Sequence, residues 1–272
     1  MDKRPIGVFD SGLGGLTCVK EIMKIMPGED VIYFGDTGRV PYGTRSREMI
    51  IKYVEQDIRF LESFDIKAII IACGTASSAA LPWIAEGKTA KIMGVVEPAA
   101  KMAVKATRNK KIGVLGTSAT VKYGKYVENI KSLCPDAEIV QKACPMFVPI
   151  VENGYANSPV AEIIAKEYLE EVKAAGVDTL ILGCTHYPLL KKVIGEIMGD
   201  GVTLIDSGAA AADSAFEFLK SEGLLKCENV SPQKGECRYF VSDTVEDFSQ
   251  LGGVFLERPI EESVRKIDIE KY

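Results

Sequence analysis

Three short segments of this chain occur twice, in the same order and at nearly one separation. GVFDSG, from Gly7, returns as GVLGTS from Gly113. DIKAIIIACGT, from Asp65, returns as GVDTLILGCTH from Gly176, and GVVEPAA, from Gly94, returns as TLIDSGAA from Thr203. The offsets are 106, 111 and 109 residues (7 to 113, 65 to 176, 94 to 203). Apolar strands resemble one another, so a single pair carries little weight. Three pairs in register point to two similar halves.

The segments belong to a wider alternation. IGVFD (6–10), VIYFGD (31–36), AIIIAC (68–73), IMGVVEP (92–98), IGVLGT (112–117), AEIVQKA (137–143), TLILGC (179–184) and TLIDSG (203–208) read as strands. Several are unbroken apolar runs, the pattern of strands covered on both faces. Amphipathic stretches lie between them, at 16–26, 48–64 and 159–176. The last has Ser158-Pro159 as a helix start and Gly176 as a stop. Strands alternating with helices predict a parallel sheet. The fold class expected is α/β, with two pseudo-symmetric α/β domains, mainly parallel sheets and a site in the cleft between them. The tail beyond residue 208 reads as helix (AAADSAFEFLKSEGLL), strand (CRYFVSD) and helix (DFSQLGGVFL), returning to the first half. The expected domains are therefore 1–97 with 208–272, and 98–207.

The repeat aligns Cys73 with Cys184. Each ends a buried strand, and parallel sheets bind ligands at the carboxyl ends of their strands. If the halves face each other, two thiols flank one cleft. A thiol titrates near 8.5, and lower beside a cation or a helix N-terminus, so it can carry protons near neutrality. Inverting a carbon by proton transfer needs a base on one face and an acid on the other. Two like groups that exchange these roles serve both directions. A strand-end cysteine taken singly is more often a small buried hydrophobe; the pairing favours function. Cys18, Cys134, Cys144, Cys227 and Cys237 have no such counterpart and read as packing or surface residues.

Composition removes other classes. A net charge of −5 gives no basic patch for nucleic acid or an anionic membrane surface. No apolar run nears the roughly 20 residues of a membrane span, and MDKRPIGVFD lacks the apolar core of a signal peptide. Seven cysteines with no C-x-x-C pair disfavour a disulfide framework or a zinc ribbon and suit a reducing, cytoplasmic compartment. One histidine excludes a two- or three-histidine metal site within the chain. SGLGG lacks the Lys-Ser/Thr ending of a P-loop, and no lysine motif marks a pyridoxal phosphate site. The first strand begins so early that an N-terminal extension holding a regulatory ligand is not expected.

GVFDSGLGGLT, FGDTGRVPYGTRS, IACGTAS, CPMFVPIVENG and LGCTHYPLL together resemble the glutamate racemases of the aspartate/glutamate racemase superfamily, over nearly the whole chain and in order. The resemblance implies a cofactor-independent isomerase that interconverts L- and D-glutamate and supplies D-glutamate for peptidoglycan. It implies a cytoplasmic homodimer with a small-molecule substrate, no cofactor, no metal, no nucleic acid and no membrane. It makes Cys73 and Cys184 the catalytic acid/bases, with Asp10 beside the first and Glu152 and His186 beside the second, moving protons or holding the substrate ammonium. Ser11, Pro41, Tyr42, Gly43, Gly74, Thr75, Thr117 and Thr185, with Asp10 and His186, would bind the substrate. Taken singly, several of these residues have plainer readings: Ser11 as a helix cap, Pro41-Tyr42-Gly43 as a turn, and His186 as a structural histidine.

One position departs from the pattern. The family pattern is Cys-Asn-Thr where this chain has Cys73-Gly74-Thr75. A buried substrate group deprived of the amide would lose about 1–3 kcal/mol unless another donor replaces it. Three alternatives therefore stand: a racemase of another amino acid such as aspartate, a related decarboxylase working with one thiol, and a catalytically impaired binding or regulatory homologue. A Cys-His hydrolase would also need a group orienting the histidine and an oxyanion hole.

Overall fold

A computed structural model describes residues 1–84, 90–226, 234–260 and 264–272. The described strands are β1 (Ile6–Asp10), β2 (Val31–Gly35), β3 (Ala68–Ile71), β4 (Lys91–Gly94), β5 (Lys111–Gly116), β6 (Glu138–Ala143), β7 (Thr179–Leu182), β8 (Thr203–Asp206), β9 (Cys237–Val241) and β10 (Val264–Lys266). They form one sheet ordered β10-β9-β2-β1-β3-β4 and another ordered β6-β5-β7-β8. Every pairing is parallel. The repeated segments occupy equivalent places: β1 with β5, β3 with β7, β4 with β8. The chain is thus α/β with two like parallel sheets.

The apolar runs form these strands because both faces are covered. All residues of β1, β2, β3 and β7 are buried. The helix Pro159–Ala174 starts as expected, with Ser158 Oγ accepting from the Ala161 amide. Its chain reverses at Gly176, whose φ of +70° suits a residue without Cβ. The tail adds β9 to the exposed side of β2, and β10 outside it.

Two expected strands run too long. The run 92–98 ends as a strand at Gly94 and becomes the helix Val96–Ala106. Its Val95 and Val96 are buried at the start of that helix, and Pro98 sits in the first turn, where an N–H has no intrahelical partner. The run 203–208 ends at Asp206, whose Oδ1 accepts from the Gly208 and Ala209 amides at 2.8 and 3.2 Å and starts the helix Ser207–Ser221. Apolar period shows burial but not which backbone state buries it.

The helix Ser207–Ser221 packs against both Leu16–Ile25 and Val96–Ala106, tying the two sheets together. At the opposite ends of the strands from the thiols, the buried Lys67 ammonium pairs with Glu29 and donates to the Asp2 and Leu224 carbonyls at 3.1 and 2.9 Å. The pair is a lock on the tail, because the other Glu29 oxygen accepts from the Lys226 amide at 2.7 Å. Glu29→Ala would strand a buried ammonium. The expected loss is about 3–5 kcal/mol of unfolding free energy, read by urea titration, with Glu29→Ala and Lys67→Met together losing less than Glu29→Ala alone.

Candidate active site

The carboxyl ends of β3 and β7 deliver the two thiols. Cys73 follows β3 and caps the helix Gly74–Ala79, its Sγ accepting from the Ala76 amide at 3.4 Å. The same thiol donates to Ser11 Oγ at 3.6 Å. Cys184 follows β7 by one glycine. The two residues are 5% and 7% exposed and line one cavity of about 280 Å³. Twelve of the thirteen residues named from the sequence line it: Ser11, Pro41, Tyr42, Gly43, Cys73, Gly74, Thr75, Thr117, Glu152, Cys184, Thr185 and His186. Asp10 is the exception and is buried within the wall. Two roomier grooves, of about 670 and 430 Å³, hold neither thiol.

Burial dominates the electrostatics. It pushes the Cys73 thiol up to about 12, and the nearby Asp10 charge acts in the same direction, while the Ala76 amide and Ser11 favour the thiolate. Burial also pushes Cys184 well up; the backbone at His186 opposes this, and the charges of Cys73, Asp10 and Glu152 add to it. Both thiols are therefore protonated in the empty site at neutral pH. Burial likewise raises the Asp10 carboxyl, with His186 acting against it. One Asp10 oxygen accepts from the Gly12 amide at 3.1 Å. The other is buried without a hydrogen-bond partner.

His186 is held on three sides. Its Nε2 lies 2.9 Å from Glu152 Oε1, its Nδ1 lies 3.4 Å from Thr185 Oγ1, and its ring meets the Phe255 ring edge-on at 5.2 Å. Glu152 ends the helix Phe147–Glu152, which packs against the turn Tyr187–Leu190 just after His186. The hydroxyls of Thr75, Thr117 and Thr120 form a cluster, with Thr117 2.9 Å from Thr75 and 3.0 Å from Thr120. Among the described residues no Lys or Arg lines the cavity, and the groups there that could meet an anion are N–H and O–H donors.

The turn SGLGG serves close approach between the halves. A Cβ at Gly14 would lie 2.1 Å from Thr185 Oγ1 and 2.6 Å from His186 Nδ1. Thr17 Oγ1 donates to the carbonyls of Gly14 and Thr185 at 2.9 and 3.1 Å.

The sequence reading missed some of the wall. Cys144, read as packing or surface, is fully buried on the cavity wall, and burial pushes its thiol to about 12. Val148 lines the wall one helical turn before Glu152; that i,i+4 spacing was the available signal. Tyr42 lines the cavity, and its hydroxyl donates to Asp36 and Asp57. Arg39 bonds both carboxylates, at 2.7 Å to Asp36 and 2.9 Å to Asp57. This buried cluster braces the Pro41–Gly43 loop. Cys18 and Cys237 are buried packing residues, Cys134 is partly exposed, and Cys227 lies outside the described residues.

A family model described as Asp/Glu/Hydantoin racemase matches residues 15–215. The chain belongs to the Asp/Glu/hydantoin racemase family, a family of isomerases. Within it, the chain is similar to glutamate racemases. It is 46% identical to the glutamate racemase of Geobacter metallireducens over 94% of each chain. It superposes on a glutamate racemase isoform of Bacillus anthracis with a TM-score of 0.93, at 35% identity and 98% coverage of each. It superposes on the glutamate racemase of Francisella tularensis, solved with D-glutamate, with a TM-score of 0.91, at 37% identity and full coverage of both.

The raised thiols make a pH prediction. Above the ordinary value of 9.0 the unfolded chain loses thiol protons that the folded chain keeps at Cys73 up to about 12. The unfolded state then binds fewer protons, so stability falls as pH rises through this window. Thermal unfolding between pH 7 and 10.5 should show the fall beginning near pH 9, and Cys73→Ala should make it shallower.

Proposed function

We propose that this chain is a cofactor-independent glutamate racemase that works by two-base proton transfer and supplies D-glutamate for peptidoglycan. The observation that carries the reading is the pair of thiols at the tips of corresponding strands, on one small cavity. A cavity near the low end of the usual range of about 300–1,000 Å³ suits a small metabolite.

The chemistry follows from the charges. The substrate ammonium brings a cation to a site that holds protonated thiols, the buried Asp10 carboxyl and the part-exposed Glu152. An ammonium about 4 Å from a thiol, at an effective dielectric near 20, contributes about 4 kcal/mol. That favours the thiolate over the buried thiol. Substrate binding thus arms the thiols, and the unpartnered Asp10 oxygen and the Glu152–His186 pair are the groups suited to receive the ammonium or relay the released proton. One thiolate then takes the Cα proton, and the opposite thiol gives its own to the other face. No electrons change hands. Each turnover leaves the protonation states exchanged, ready for the opposite enantiomer. Ser11, Thr75, Thr117, Thr185 and the backbone at Gly43 and Gly74 supply neutral donors for the two carboxylates, in keeping with a cavity wall that has no Lys or Arg among the described residues.

The described cysteines are all free thiols, which supports a reducing, cytoplasmic setting. The homodimer belongs to the same proposal; light scattering at the mass of one chain would remove it.

Incubation with L-glutamate in D2O, with no added cofactor, should wash deuterium into Cα and yield D-glutamate. Exchange with aspartate but not glutamate would instead select the alternative substrate, and no exchange with any amino acid would select the impaired homologue. Cys73→Ala should abolish proton abstraction from one enantiomer and Cys184→Ala from the other. Full racemisation by either variant would end the two-base reading. His186→Asn should lower kcat by about 10²–10⁴-fold, the usual contribution of a positioned acid–base group, as read by circular dichroism of the product.

A further inference from the structure

We infer that Gly74 is a positioning residue that sets the separation of the two thiols, through a side-chain-free contact with Gly183. The inference rests on the racemase reading above. Gly74 follows Cys73 directly, and Gly183 precedes Cys184 directly, so the contact joins the two thiol-bearing tips across the cleft. A Cβ at Gly74 would lie 2.3 Å from the Gly183 carbonyl oxygen, and the carbonyl carbon is next, at 3.3 Å. The obstacle is backbone and has no rotamer to change.

Gly183 has no room to retreat. Its amide donates to the Leu115 carbonyl at 2.8 Å, and its own missing Cβ would lie 2.6 Å from that oxygen and 3.0 Å from the Tyr126 ring. Strand β5 and Tyr126 therefore back the Cys184 tip. The yielding side is the Cys73 tip, where the helix Gly74–Ala79 meets the other half through the Thr75–Thr117 hydroxyl contact of 2.9 Å. For a contact of 2.3 Å to become an ordinary one of 3.4 Å, the seam must open by about 1 Å. That opening moves Cys73 away from Cys184 while leaving both side chains, Asp10 and His186 in place.

The asparagine of the resembled family pattern would therefore impair this chain rather than repair it. A misplacement of about 1 Å costs on the order of 10²-fold in rate. Gly74→Ala and Gly74→Asn should stay folded, lower kcat by about that factor in both directions, and change KM by much less.

The distinguishing readout is the fate of the carbanion. With the thiols at their native spacing, the opposite thiol captures it and solvent deuterium appears in the inverted product. With the tips apart, the first thiol returns a solvent-exchanged proton more often, and deuterium accumulates in recovered substrate of unchanged configuration. The ratio of exchange with retention to exchange with inversion should rise in both variants relative to wild type. Unchanged or higher turnover in Gly74→Asn would overturn the inference, as would an unchanged ratio. Failure of Gly74→Ala to fold would overturn it too, because a seam that yields predicts a folded protein. Absence of exchange in the wild-type protein would overturn the functional reading itself, and this inference with it.

Discussion

The site depends on close approaches that only glycine permits. Two α/β halves face each other at the carboxyl ends of their strands, and at two close approaches the first half contributes no side chain. Gly74 lies against the Gly183 carbonyl, and Gly14 lies under Thr185 and His186. These approaches flank Cys184 on both sides in sequence and reach Cys73 directly. Close packing makes them firm, because an interior at crystal-like density transmits a shift of one tip to its neighbours. The rest of the molecule supports the arrangement. The helices Leu16–Ile25, Ser207–Ser221 and Val96–Ala106 tie the sheets, and the Asp36–Arg39–Asp57 cluster holds Tyr42 in the loop that lines the cavity.

The same enclosure governs the chemistry. Both thiols are buried, so each is neutral at rest. The buried carboxyl of Asp10, with one oxygen unpartnered, and Glu152 hydrogen-bonded to His186 stand beside the thiols. In the proposed reaction, a ligand bearing an ammonium would favour the thiolates through a Coulombic contact, tying their activation to the molecule they act on.

Much of this was legible in the chain. Unbroken apolar runs marked β1, β3, β5 and β7, because strands buried on both faces admit little else. The triple repeat marked two like halves, and its alignment of Cys73 with Cys184 marked the pair that shares the cavity. The boundaries at Gly94 and Asp206 were not legible. There the apolar pattern continues while the backbone turns to helix, and only packing partners distinguish the two states. Cys144 is a buried residue, as its packing reading has it, and its place on the cavity wall was not legible because it has no counterpart in the repeat. Arg39, Asp36 and Asp57 were missed because their pairing joins a loop to the helix Arg47–Glu62, a relation that spacing does not encode.

The sequence by itself determined the alternation of elements, the duplication and the identity of the chemical groups, because burial periodicity and residue chemistry are local properties. The tertiary structure alone decided how near those groups come. Gly74 illustrates the division. In the sequence it is a missing amide. In the fold it is the absence of a side chain where a carbonyl from the other half already occupies the space, a fact about two residues more than a hundred positions apart that only their packing creates.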